Sequence, residues 1–232
     1  MAWIEHLHER VEDLHQAAAQ ALLQATQQGL DTRGAAFLSL AGGSTPWPVY
    51  RQLARQPLRW ADVSLLPGDE RCVPHDHPAC NLTRLREAFA DAPDAHIVPL
   101  TTQDGDAALS QARAQAWLAR HQQPFDAVLL GIGQDGHFAS LFPGAAQLPQ
   151  ALDHDCPLDA MLVEPDPLPP EAPFARISLT LPRLLRTQSL LLLATGDAKR
   201  EVLAQAQADP ARHPVGALLH APGAQVHIHW SP

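Results

Sequence analysis

The sequence of 232 residues is poor in several things at once. It has one lysine, Lys199, so fifteen of its sixteen basic residues are arginines. Sixteen basic against 25 acidic residues leave a net charge of −9. General nucleic-acid binding needs a basic face to neutralise phosphates, and that charge argues against it. Only three cysteines occur, irregularly spaced and without a C-x-x-C pair, so there is no disulfide framework. Such cysteine usage suits a reducing compartment. No window reaches the ~20 apolar residues of a membrane span. The run Leu190–Ala194 has only the length of a buried strand. The first residues, Met1-Ala2-Trp3-Ile4-Glu5-His6, lack a basic segment followed by an apolar one. No secretory signal is therefore expected, and the expectation is a cytoplasmic protein. No repeat with a period of 20–50 residues is apparent.

What is present is the material of a globular fold. Hydrophobic residues make up 46% of the chain. A chain this long buries roughly 70–75% of its unfolded surface as one domain. We expect residues 1–232 to form a single domain. Proline is abundant, at 22 residues. It crowds the segment Pro157–Pro173, which reads as a surface loop with a short strand at 159–163 rather than an interdomain linker.

Apolar periodicity supplies a coarse map. Ile4, Leu7, Val11, Leu14, Ala18 and Leu22 follow helical spacing, predicting a helix over 3–28 with Gly29 as its stop. Strands are predicted at 35–40, 63–66, 97–100, 125–132, 177–181, 190–194 and 225–229. Helices are predicted at 46–55, 82–90, 106–121 and 197–207. Asn81 is a plausible cap for the second of these. Alternating strands and helices imply a three-layer α/β/α fold around a mostly parallel, Rossmann-like sheet. Ligands of such sheets bind outside the carboxyl ends of the strands. The loops that matter are then 41–46, 67–81, 131–140 and 195–199.

In the first loop, Gly42 and Gly43 allow close backbone approach, and Ser44 and Thr45 add hydroxyl donors. With the following helix start this suits an anion, most naturally a phosphate, although an ordinary capped turn has the same spacing. The second loop holds Asp69, Glu70, Arg71 and Cys72. Arg71 could grip a carboxylate, a phosphate or an oxyanion. Asp69 and Glu70 could hold Arg71 in place, although a solvated charged turn is the plainer reading. Cys72 beside an arginine could be a nucleophile, but no base accompanies it locally.

The third loop contains a formal G-x-G-x-x-G at Gly131, Gly133 and Gly136. A dinucleotide-binding reading fails there, because Pro143-Gly144 stops any helix within about two turns. The better reading is a glycine-walled loop that presents His137 as a general base, with Asp135 to orient it. In the fourth loop Lys199 lies in the first turn of a helix. Anions are preferred there, so Lys199 either faces solvent or meets an anion at the sheet edge.

Taken together, GGSTP at 42–46, DERCVP at 69–74 with Asn81 beyond, LGIGQDGHFASLFPG at 130–144, RISLTLP at 176–182 and GDAKREVL at 196–203 resemble one family. It is the glucosamine-6-phosphate isomerase/6-phosphogluconolactonase superfamily, and within it the lactonases. The resemblance implies hydrolysis of 6-phospho-D-glucono-1,5-lactone without metal or cofactor. It implies a phosphate held by Gly42, Gly43, Ser44 and Thr45, with Arg176 and Lys199 as cationic partners. His137 would activate water, Asp135 would orient it, and Arg71 would bind the sugar-acid end or the oxyanion. The deaminase/isomerase branch typically carries a glutamate soon after its D-G-H, and Phe138–Pro143 has none. Ala41 and Cys80 depart from serines frequent in the lactonases.

Two further readings are a deaminase-like isomerase and a non-catalytic sugar-phosphate-binding module, which could dispense with His137 and Arg71. A metal hydrolase would need a cluster such as His75, His77 and Cys80, or His227 and His229; exposed polar residues are the plainer account. The expected partner is a small phosphorylated lactone, with no nucleic acid and no membrane, and the chain a monomer or small homo-oligomer.

Overall fold

The computed structural model describes residues 3–170 and 172–232. In chain order its elements are β1 (Trp3–Leu7), α1 (Val11–Arg33), β2 (Ala36–Leu40), α2 (Trp47–Ala54), β3 (Val63–Pro67), β4 (Asp69–Arg71), α3 (Asn81–Ala88), β5 (His96–Ile97) and α4 (Ala107–Arg120). Then come β6 (Ala127–Gly131), α5 (Leu148–Leu152), β7 (Ala160–Val163), β8 (Arg176–Leu179), α6 (Leu181–Leu185), β9 (Leu190–Thr195), α7 (Asp197–Ala208), α8 (Pro214–Leu219) and β10 (Val226–Ser231).

Seven strands form one sheet in the order β1-β10-β9-β6-β2-β3-β5, every pair parallel. The central strands are apolar throughout because successive side chains enter opposite layers. Leu38, Leu40, Leu129, Leu191 and Leu193 pack with α1, α2 and α3. Phe37, Val128, Leu130, Leu190 and Leu192 pack with α4, α6, α7 and α8. The α/β class and the parallel sheet agree with the expectation. A second, antiparallel sheet, β4-β8-β7, was not expected and lies on the latter side. Within the proline-rich segment 157–173, the short strand expected at 159–163 is present as β7, and it pairs antiparallel with β8.

The predicted helix over 3–28 is corrected at both ends. Residues 3–7 are a strand, in register with β10 from Trp3↔Val226 to Leu7↔Trp230. Ile4 and Leu7 fitted a helical period, yet they are 40% and 59% exposed. The open edge of β10 decides their conformation, a nonlocal effect that periodicity does not contain. Nor does Gly29 stop α1; the left-handed Gly34 (φ 75°) does, donating to Leu30 O at 3.1 Å. Gly29 is there because a Cβ would stand 2.7 Å from the Asp126 carboxylate.

From β2 the chain moves outward to β3, whereas from β6 it moves the opposite way to β9. Adjacent β2 and β6 therefore form the switch point, and the loops leaving them diverge to open a crevice. Those loops are 41–46 and 131–140.

Candidate active site

A cleft of about 350 Å³ opens at this switch point. Its wall brings together Gly42, Gly43, Ser44, Thr45, Arg71, His137, Arg176 and Lys199 from five separate parts of the chain. Asp135 does not line the cleft; it stands behind His137. Its carboxylate accepts from His137 Nδ1 at 2.5 Å and from the His137 amide at 3.1 Å. Burial pushes Asp135 up, but these bonds and the histidine's charge outweigh it, and the carboxyl lies below its ordinary range. With Nδ1 committed, Nε2 is the ring nitrogen left for chemistry. The ring stacks on Phe142, with centroids 4.0 Å apart.

The loop that carries this pair is a tight turn. Gly136 (φ 79°) donates to Gly133 O at 3.1 Å, and the Gly133 amide donates to His137 O at 2.9 Å. A Cβ at Gly133 would overlap the His137 ring. No long helix follows: the next one, α5, is five residues long and begins at Leu148. The glycine pattern thus shapes a histidine loop and offers no helix start to a pyrophosphate.

The phosphate-loop candidate is fixed from below. Ala41 N donates to Leu129 O at 2.9 Å, and Tyr50 Oη donates to Ala41 O at 2.8 Å. Gly42 is required because a Cβ there would overlap the Asn81 side-chain amide. Gly43 has φ 95°, and the loop leads into α2.

The solvated turn expected at 69–70 is overturned. Asp69 and Glu70 are buried in β4. Ser140 Oγ donates to the Asp69 carboxylate, and Asn81 Nδ2 donates to the Asp69 carbonyl at 2.9 Å. The Glu70 carboxylate accepts from the amides of Asn81, Leu82 and Arg71 at 2.7, 2.7 and 2.8 Å. Burial nevertheless pushes Glu70 up to about 7. The side chain thereby caps α3, a role expected of Asn81.

Arg71 and Arg176 are directly opposed across the β4–β8 pair. Like charges facing each other this way are unfavourable unless an anion joins them. Arg71 Nη1 donates to Ala79 O at 2.7 Å, while its buried Nε has no partner among the described residues. Arg176 donates to Ala172 O at 2.8 Å and lies 4.7 Å over the Phe142 ring. Burial lowers its pKa; Asp69 opposes this and Arg71 adds to it. Lys199 projects from the first turn of α7, half-buried, and burial lowers its pKa. Among the described residues no hydrogen-bond or ion-pair partner meets its ammonium.

Other candidates fall away. Burial raises the Cys72 thiol to about 11, which removes the thiolate a nucleophile needs. His75 bonds to Thr101, His77 accepts from Ala79 N, and the Cys80 thiol faces Glu70. Among the described residues no group of three or more His, Cys, Asp or Glu is placed to hold a metal, and no helix is long and apolar enough to cross a membrane. The sequence reading missed Ser140, which supports Asp69, and Ala139, whose left-handed φ of 48° bends the cleft wall. None carries a local signal.

The family model for glucosamine-6-phosphate isomerases/6-phosphogluconolactonase matches residues 9–230. The chain belongs to this family. A 6-phosphogluconolactonase of Caulobacter vibrioides is 39% identical over 222 residues, 95% of this chain and 94% of the relative. One from Rhizobium meliloti is 34% identical, with 98% of each chain covered. The crystal structure of a 6-phosphogluconolactonase from Shewanella baltica superposes with a TM-score of 0.90 at 30% identity, covering 99% of this chain and 97% of that one. The resemblance read from the five motifs thus extends over nearly the whole chain, including the family's α/β fold.

Proposed function

We propose that this chain hydrolyses 6-phospho-D-glucono-1,5-lactone to 6-phospho-D-gluconate, in the oxidative pentose phosphate pathway and in the cytoplasm. The observation that carries the reading is the Asp135–His137 pair in one cleft with the glycine-rich 42–45 loop and the single lysine. The names of its relatives agree with it.

The phosphate rests against Gly42, Gly43, Ser44 and Thr45, with Lys199 and Arg176 as its cations. His137 Nε2 takes a proton from a water molecule, whose oxygen bonds to the lactone C1. The carbonyl electrons move onto oxygen, and the Arg71 guanidinium in the cleft wall stabilises that oxyanion. One such donor contributes ~3–4 kcal/mol in comparable sites. As the tetrahedral intermediate collapses, the bond from C1 to the ring oxygen breaks, and imidazolium His137 protonates the departing oxygen. Asp135 holds the tautomer and stabilises the imidazolium. A lactone is an activated ester, so no covalent enzyme intermediate is required. Residues 1–232 act as one domain, as a monomer or small homo-oligomer, and the chain itself requires no cofactor. The lack of a glutamate in Phe138–Pro143 favours lactonase over deaminase chemistry.

The test is an assay with freshly generated phosphogluconolactone beside one with glucosamine 6-phosphate, spontaneous lactone opening subtracted. Turnover of the lactone alone is expected, falling at least 100-fold in His137→Ala with the fold intact. Lactonase activity within twofold of the parent in that variant overturns the general-base role. Turnover of the amino sugar phosphate instead overturns the substrate.

A further inference from the structure

His213 lies at the α7–α8 corner, 76 positions from His137 in sequence, and touches the reverse side of the catalytic loop. Its Nδ1 is 3.2 Å from the Asp135 carbonyl oxygen, and its Nε2 is 2.9 Å from Gln205 Oε1. The orientation of the Gln205 amide is set by its other end, which donates to Glu201 Oε1 at 2.9 Å. Turned over, the amide oxygen would face a carboxylate. Both partners of His213 are therefore acceptors.

The contact between this corner and the loop is close. Val215 N donates to Gly136 O at 3.0 Å, and a Cβ on Gly136 would stand 2.5 Å from His213 Cβ. The carbonyl that His213 grips belongs to the residue whose carboxylate holds His137 Nδ1. Gln205 and Glu201 are on α7, the helix that projects Lys199 into the cleft from its first turn. The chain Glu201–Gln205–His213–Asp135–His137 thus links the helix that bears Lys199 to the histidine loop through hydrogen bonds.

We propose that His213 is a positioning residue: with Nδ1 bonded to the Asp135 carbonyl and Nε2 set against Gln205, it fixes the peptide that aims Asp135 at His137 and ties that loop to the helix bearing Lys199. The part concerning His137 rests on the lactonase reading above. The grip on the loop does not, and it is testable without substrate.

Nitrogen-15 NMR of the intact protein should show His213 Nδ1 protonated, since a carbonyl oxygen can only accept. An Nδ1 without a proton overturns the proposal. In His213→Ala the downfield proton of the His137–Asp135 bond should broaden or move upfield, and kcat should fall about tenfold with KM within twofold. Gln205→Leu, on the half-exposed face of α7, should do the same to a lesser degree, about three- to fivefold, and serves if the alanine variant does not fold. If both the proton resonance and kcat match the parent in a folded variant, His213 has no positioning role. A parent protein that does not turn over the lactone overturns the functional reading, while the resonance still decides this one.

Discussion

A methyl group at Gly133 would overlap His137 Nδ1 and stand 2.5 Å from Asp135 Oδ1. The glycine that made the loop look like a dinucleotide fingerprint is there to let the histidine and aspartate meet. Gly131, the first glycine of the same pattern, has nothing within 4 Å of its own Cβ position. Gly133→Ala should therefore lower kcat about 100-fold or more while the melting temperature moves by only a few degrees, because the loop is at the surface of the sheet. Gly131→Ala should cost far less. Equal losses in the two, read by steady-state kinetics beside thermal melts, would mean that the clash at Gly133 is not what matters. At this scale the nine candidate residues were legible, since each follows a strand end or forms part of a recognisable motif. Their supports were not. Asp69 and Glu70 read as a solvated turn, because their burial is created by β8, more than a hundred positions away. His213 gave no signal at all, since its partner is reached only through the fold.

Among the elements, the strands of the main sheet were legible because burial on both faces makes them continuously apolar. The edge strand β1 was not, and its side chains give it an unusual pH response. His227, His6, His229 and His8 stack in that order, with ring centroids 5.3, 4.5 and 5.3 Å apart. His6 bonds to His227 and His8 to His229, each at 3.1 Å. Burial, then repulsion from His6, His8 and His227, holds His229 down at about 3. His8 and His227 are also lowered, burial first, with Asp13 opposing the shift at His8. A base held below its ordinary value keeps its contribution to stability above that value and loses it as pH falls. The loss begins near 6.5 and continues toward 3, at ~1.4 kcal/mol per pH unit for a group so held. Glu70 acts with the opposite sign: held up at about 7, it contributes below about 4.5 and loses this as pH rises through 7. A global melt mixes the two. Hydrogen exchange resolves them, because β1 has a single neighbour and Glu70 is in the other sheet. Between pH 7.5 and 5.0, corrected for intrinsic rates, protection in residues 3–7 should drop first. His6→Gln with His8→Gln should flatten that change. Loss that begins elsewhere would contradict it.

On the scale of the whole molecule, the question is how a chain of net charge −9 takes up an anion. Repulsion from the bulk of the protein has to be overcome locally, by cations held close to the cleft and kept from neutralising themselves on neighbouring carboxylates. That is the arrangement at Arg71 and Arg176, whose side chains donate to carbonyl oxygens and a serine hydroxyl. It also describes Lys199, the one cation of the cleft that is a compact ammonium and not a planar fork. Ion pairs elsewhere, such as Arg55–Asp91 and Arg10–Asp13, are at the surface. Attraction of this short-range kind, set against a repulsive background, has a definite salt signature. Raising ionic strength from 0.05 to 0.5 M shortens the screening length from roughly 14 to 4 Å, which removes most of the long-range repulsion, but the salt's own anions enter the water-filled cleft and compete for its cations. For the lactone, kcat/KM should fall several-fold over this range, with kcat changing less than twofold, because the cleft cations act on capture of the phosphate before they act on chemistry. Lys199→Ala should raise KM about tenfold and flatten the salt dependence. If kcat/KM instead rises with salt, the net charge governs capture and the local cations do not; if Lys199→Ala leaves KM for the phosphorylated lactone unchanged, the ammonium does not hold the phosphate.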